Sequence, residues 1–300
     1  MAISKVRVQI NGTWHTLTAG SNGTYSATIT APGATSYHQS GGYYNVTVEA
    51  TNTAGTVTTT TGADLTGLRL VVKERVAPVI TIVSPTSGAY VTNSKQPIVF
   101  TITDEAGGSG INLSSLVVKQ DNTAVASNTI ATTAISNGYS VTYTPAAALS
   151  DGSHTVTVSV SDNDGNAATA KSTTYKIDTV PPTLNITAPA DSLITNAASL
   201  VVRGTTNDAT SSPVTIAITL NGANQGTVSV GTDGSFSKSV TLAEGSNTIV
   251  VTATDAAGKT SSVTRKVTLD TSAPEVTSAT ITPNPVDAGA TMVITVVISG

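Results

Sequence analysis

The side chains of this chain that could do chemistry are few, and they are histidines and carboxylates. The histidines are His15, His38 and His154. His154 sits two residues before a Val that recurs as Val46 and Ile249, and Tyr44 and Asn247 fill the matching slots. A position that accepts Tyr, His and Asn does not require imidazole, so His154 reads as structural. His15 and His38 lie in different strands or loops, with no Asp and Ser in sequence context to complete a triad. Gly107-Gly108-Ser109-Gly110 lacks the strand–Ser–helix setting of a nucleophile elbow and reads as a loop. Asp162-Asn163-Asp164-Gly165-Asn166 puts oxygen side chains on alternate positions, as a calcium loop begins. The closing Glu and flanking helices of such a loop are missing. An Asx turn at a hairpin tip explains the same residues. Asn52-Thr53-Ala54-Gly55 and Asp255-Ala256-Ala257-Gly258 keep the turn without the second carboxylate, which favours the turn reading.

Aromatic side chains are the other candidates. Trp14, Tyr25, Tyr37, Tyr43 and Tyr44 are five of the eleven aromatics (one Trp, eight Tyr, two Phe), so they crowd the first 44 residues. Exposed, they would stack on sugars or dock a partner. Trp14 and Tyr44 are expected in the core, Tyr44 in a place like a tyrosine corner. Tyr37, His38 and Tyr43 are expected on a loop as a binding surface.

Strands must position these residues. Val46 to Gly55, Val156 to Gly165 and Ile249 to Gly258 repeat one phrase of alternating small or apolar residues closed by a turn. Charged residues are only 11%, and Thr, β-branched and polar, takes their place on solvated strand faces. Strand-like runs recur every 8–12 residues or so with no lasting helical period, as in an all-β sandwich. With no cysteine, disulfides, thiolate metal sites and a Cys nucleophile are excluded. No apolar run is long enough to span a membrane. A net charge of −4 without a basic tract makes nucleic acid an unexpected partner.

Three junctions carry a carboxylate four residues before a Pro: Glu74 and Pro78, Asp178 and Pro182, Asp270 and Pro274. Proline cannot donate to a ladder and stiffens the chain, so each reads as a semi-rigid linker. The expected modules are residues 1–76 (divergent and aromatic-rich), 77–179 and 180–271, followed by 272–300 as a partial module or two-strand assembly tail. The openings Val79 to Pro85 and Thr183 to Pro189 run in parallel.

These openings, the hairpin ending Asp255-Ala256-Ala257-Gly258-Lys259 and the linker Asp270 to Pro274 resemble tandem bacterial immunoglobulin-like (Big-type) domains. The resemblance is fullest over the second and third modules. It implies tandem immunoglobulin-like β-sandwiches in a linear array, and a family common in bacterial surface adhesins and bacteriophage tail proteins. Gly41-Gly42-Tyr43-Tyr44 and Leu68 to Glu74 resemble phage and prophage tail-associated proteins carrying such modules. Some members of the family bind Ca²⁺ near module junctions through such acids and a linker Asp. Carried over here, that implies a site at Asp104, Asp162, Asp164 and Asp178. No other cofactor is expected.

Val276 to Thr282 and Met292 to Ser299 read as two strands joined through Pro283 to Gly289. The second run is apolar on both faces, so residues 273–300 are expected to pair with other virion proteins or with copies of this chain by strand addition. No apolar stretch follows the charges of Met1 to Val8, so no classical secretion signal is visible. The expectation is therefore a non-enzymatic structural and display protein. It would be made in the cytoplasm and built into a phage tail, baseplate or fibre, there to meet host-surface glycans. A bacterial cell-surface adhesin stalk is the alternative, and a carbohydrate-binding accessory module the second.

Overall fold

In the computed structural model, which describes residues 2–300, the chain divides into two compact units, Met1–Ile177 and Asp178–Gly300. Among the described residues the only helical turns are short 3₁₀ turns.

The first unit opens with a four-stranded sheet in the spatial order Thr13–Thr16, Ile3–Ile10, Thr47–Asn52, Val57–Thr60. Its inner face carries Val6 and Val8, both buried. Asn11 and Gly12 turn the first hairpin with positive φ (46° and 81°), the geometry a two-residue primed turn demands. Asn52 ends the third strand, and its Oδ1 accepts the Ala54 and Thr56 N–H groups at 2.9 Å each. Because Asn52 is buried, Asn52→Ala strands these donors. It is expected to lower the unit's stability by about 1–2 kcal/mol in denaturant titration.

The rest of this unit is a sandwich. One sheet runs Tyr90–Val91, Lys171–Ile177, Gly152–Asp162, Ile111–Gln120, Thr123–Ala124, and the other Ile130–Ile135, Gly138–Tyr143, Ile98–Thr103, Val79–Ser84. Strict alternation turns Ile98, Phe100 and Ile102 inward from one sheet and Val156, Val158 and Val160 from the other. Pro85 follows the opening strand. It offers no N–H to prolong that ladder, and the chain next pairs at Tyr90–Val91, parallel to Lys176–Ile177 in the opposite sheet.

The second unit repeats this plan. Thr183–Ala188, Ser199–Asn207 and Ser235–Thr241 form one sheet; Leu193–Thr195, Thr260–Leu269, Gly245–Thr254, Thr215–Leu220 and Ala223–Asn224 form the other. Val202, Ile218, Ile249 and Val251 are fully buried between them. Glu275–Thr282 pairs with Val293–Ser299 as a separate hairpin whose residues are exposed on both faces.

Trp14 departs from expectation. It lies opposite Gln9, on the same face as Arg7, whereas Val6 and Val8 define the inner face. It is 37% exposed, with the Arg7 guanidinium 4.2 Å from its ring centroid. Tyr44 is buried, and its hydroxyl donates to the Ala34 carbonyl at 3.2 Å.

Candidate cation centres

Two sets of acids gather where loops leave the strand ends. In the first unit Asp104 follows the strand Ile98–Thr103, and its Oδ2 accepts the Gly110 N–H at 2.7 Å. Glu74, from the linker, accepts the Ser109 N–H through Oε1. Ligand oxygens of Glu74, Asp104 and Glu105 lie within 4.8 Å of one another. One buried oxygen of each (Glu74 Oε2, Asp104 Oδ1, Glu105 Oε2) has no hydrogen-bond partner. Gly108 closes the cluster: a methyl there would stand 2.7 Å from Asp104 Oδ2 and 2.9 Å from Glu74 Oε2. Only a glycine lets the backbone pass this close to three carboxylates.

Asp162 and Asp164 are occupied differently. Asp162 Oδ1 accepts the Gly165 and Asn166 N–H groups at 2.6 and 2.8 Å, and Oδ2 the Asn166 amide at 2.7 Å. It is a fully satisfied Asx turn. Asp164 Oδ2 accepts the Thr35 hydroxyl at 2.5 Å and the Glu74 N–H at 3.0 Å. Asp178 belongs to the second unit, beside Asp208 and Asp255. The expected set Asp104, Asp162, Asp164 and Asp178 is thus divided: Asp162 takes protein donors on both oxygens and Asp164 on Oδ2, while Asp178 groups with acids of the second unit. Glu74, Glu105, Asp208 and Asp255 were missing from it. Recurrence could have found three of them. Glu74 and Asp178 are both junction acids, Asp104 and Asp208 both follow the second long strand, and Asp255 heads the repeated turn.

The remaining candidates are tied into the fold. Ser109 is fully buried, and its Oγ accepts the Asp164 N–H at 3.0 Å. His38 Nε2 is 2.8 Å from the Gly108 carbonyl, and Tyr37, 47% exposed, meets its ring edge-on. Tyr43 carries the Arg69 guanidinium 5.0 Å from its ring centroid. His15 lies opposite Val8. His154 is buried, with Nδ1 2.7 Å from Asp121 Oδ2 and Nε2 2.8 Å from the Ser150 carbonyl. Burial is the largest influence on the ring and disfavours its charge. The bonds to Asp121 and Ser150, with the Asp121 charge, outweigh it and hold the His154 pKa above its ordinary 6.5. Burial likewise acts to raise Asp121, but hydrogen bonds from His154, Thr155 and Gln120 prevail, and its carboxyl stays below the usual range.

Comparison with known proteins gives the class. Residues 84–179 match the model of a bacterial Ig-like domain, and residues 182–271 match glucodextranase, domain B. No curated protein sequence matches the chain. Among solved structures, the chain is similar to Clostridium thermocellum CbhA fibronectin(III)-like modules (18% identity, TM-score 0.39, 64% of this chain and 94% of that one). It is also similar to Sidekick-1 immunoglobulin domains 1–5 (13% identity, TM-score 0.38, 98% of this chain and 60% of that one). The chain is an all-β protein of tandem immunoglobulin-like sandwiches, a class of structural and binding modules.

Proposed function

We propose that this chain is a non-enzymatic structural and display protein of a phage or phage-like particle, a tail, baseplate or fibre component that holds immunoglobulin-like modules outward. The observation that carries the reading is the fastening of the linker in the first unit. Glu74 N–H and Thr35 Oγ1 both bind Asp164 Oδ2, Asn166 Nδ2 donates to the Glu74 carbonyl at 3.3 Å, and Lys73 Nζ to the Asp164 carbonyl at 3.1 Å. A linker pinned at several points transmits position, as a spacer must, where a free one would let the modules swivel. The resemblance of residues 41–44 and 68–74 to phage tail-associated proteins supports the particle over the alternative, an adhesin stalk on the bacterial surface. The match to a bacterial Ig-like domain suits either.

Mass spectrometry of purified particles and of material shaved from washed cells tests this. Stoichiometric peptides in the particles are expected; recovery from the shaved surface alone overturns the particle reading in favour of the stalk. Residues 273–300 are proposed as the assembly element, since Val293, Ile294, Val296, Val297 and Ile298 are all exposed on a strand able to accept a further strand. Deleting them is expected to leave the melting of both sandwiches within about 1 °C while abolishing incorporation into particles. Unchanged incorporation and oligomeric state would remove that role.

A further inference from the structure

The outer face of the first sheet carries a platform that the core does not need. Strand alternation puts Arg7 and Gln9 on the face opposite buried Val6 and Val8. Directly opposed residues share a face, so Arg7 lies in one row with Thr16, Glu49 and Thr59. Trp14, Gln9 and Thr47 form the next row. Arg7 Nε donates to Glu49 Oε1 at 2.7 Å, and Nη2 lies at the same distance from that oxygen. The pair holds the guanidinium 4.2 Å from the centroid of the Trp14 ring. Gln9 Nε2 donates to the Gly12 carbonyl at 3.1 Å, which fixes the amide in the row of the indole. Each member is set by its neighbour before any ligand arrives, so ordering them on binding costs little.

The chemistry of the platform selects its occupant. A tryptophan 37% exposed leaves apolar ring surface in water, and the guanidinium covers only one side of it. A protein interface would ring such an anchor with further apolar groups. Here the two rows hold, besides the indole, only hydroxyl, amide and ion-paired groups. Val57, exposed on the same face, stands on the far edge strand, across the sheet from Trp14. An anionic ligand would meet Glu49, whose carboxylate already offsets the charge of Arg7. Lys5, the other cation of this face, stands two rows from Trp14. A neutral pyranose suits the whole set. Its C–H face is apolar and stacks on an indole, while its hydroxyls need donors and acceptors around the ring. A guanidinium and a carboxylate held together, with an amide alongside, offer both to neighbouring hydroxyls.

We propose that Trp14, Arg7, Glu49 and Gln9 bind a neutral pyranose unit of a glycan, stacked on the indole and hydrogen-bonded to the ion pair and the amide. This deepens the display reading, on which it rests only for where the glycan is met. Trp14 is the single tryptophan, so the indole emission of the purified chain reports on this site alone. The probes are oligosaccharides of glucose, mannose, galactose and N-acetylglucosamine, with dextran sulfate as a polyanion. At least one neutral probe is expected to change the emission saturably. Trp14→Ala is expected to weaken that probe at least about 10-fold in calorimetric titration. Tyr37→Ala, in the loop whose His38 meets Gly108, is expected to bind as wild type does. Gln9→Ala is the second variant should Trp14→Ala not fold, and is expected to weaken the probe at least about 3-fold. No saturable response to any neutral probe overturns the proposal, as does a folded platform variant that binds as wild type, or an equal loss in Tyr37→Ala. Preference for dextran sulfate, or a dimer that Trp14→Ala abolishes in sedimentation, overturns it too. All of this is measured on the purified chain. Recovery from the shaved cell surface alone would therefore overturn the particle reading and leave the glycan site standing.

Discussion

Gly138→Ala is expected to destabilise the first unit by about 3 kcal/mol, a large loss for one methyl group. Gly138 begins the strand Gly138–Tyr143 and lies opposite Thr103. A Cβ there would sit inside the van der Waals surface of the Ile102 carbonyl oxygen and 2.8 Å from Thr103 Cα. Both obstacles are backbone, and that backbone cannot easily yield. The strand Ile98–Thr103 is bonded on both edges, and Ile102 is fully buried. The second unit has the same constraint at Gly234, whose added methyl would enter the Thr206 carbonyl, with a φ of 79° besides. Gly67→Ala is the control, since a methyl there meets nothing; it is expected to change stability by less than about 0.5 kcal/mol. Urea titrations of the two variants separate the cases. Near-equal midpoints would mean that the strand crossing at Gly138 has slack.

Glycines like this one mark what the sequence could and could not disclose. Gly138 reads as one more turn glycine, because nothing local says which backbone passes over it. Strands were more legible. In Gly152–Asp162 every second residue from His154 on is buried, and the alternation is audible over eleven residues. The short strand Thr13–Thr16 offered only Trp14 and His15 to choose between, and apolar size pointed to the wrong face. Sidedness was set by the partner strand, where Val6 and Val8 outvote Trp14. The grouping of the acids was hard to read for a related reason. Asp162 and Asp164 have the spacing of ligands, but spacing within one loop cannot show which N–H groups will reach them. Asp255 has no local companion acid, yet folding brings it to Asp178 and Asp208. Loop-borne sites assembled from three segments are written in the tertiary structure, and only their recurrence at matching places of the two sandwiches leaves a trace in sequence.

His154→Ala is expected to cost the first unit about 3 kcal/mol, because it leaves a cavity and strips Asp121 and the Ser150 carbonyl of a buried hydrogen-bond partner. The second unit shows how the same place is built without charge. There Asn221 stands for Asp121, with almost the same φ (50° and 49°), and its Oδ1 accepts the Thr248 N–H as Asp121 Oδ1 accepts that of Thr155, both at 2.8 Å. Asn247 stands for His154. It takes the Asn221 amide at 3.0 Å and donates to the carbonyl four residues back, Ala243, as His154 does to Ser150. The double variant Asp121→Asn, His154→Asn is therefore expected to regain more than half of the stability lost in His154→Ala, a coupling that independent sites would not give. The pair also imposes a pH dependence on wild type. The His154 pKa is raised, so its contribution is complete below 6.5 and is lost as pH climbs through the folded value. The Asp121 pKa is lowered, so its contribution is complete above 3.8 and is lost as pH falls through the folded value. Between these limits the pair contributes fully, and the first unit should resist urea better at pH 6 than at pH 9. In the Asn–Asn variant neither group titrates, and that difference should vanish. If the variant keeps the wild-type slope between pH 6 and 9, the proton-linked stability comes from elsewhere, and His154 is a neutral packing residue like the Asn247 it parallels.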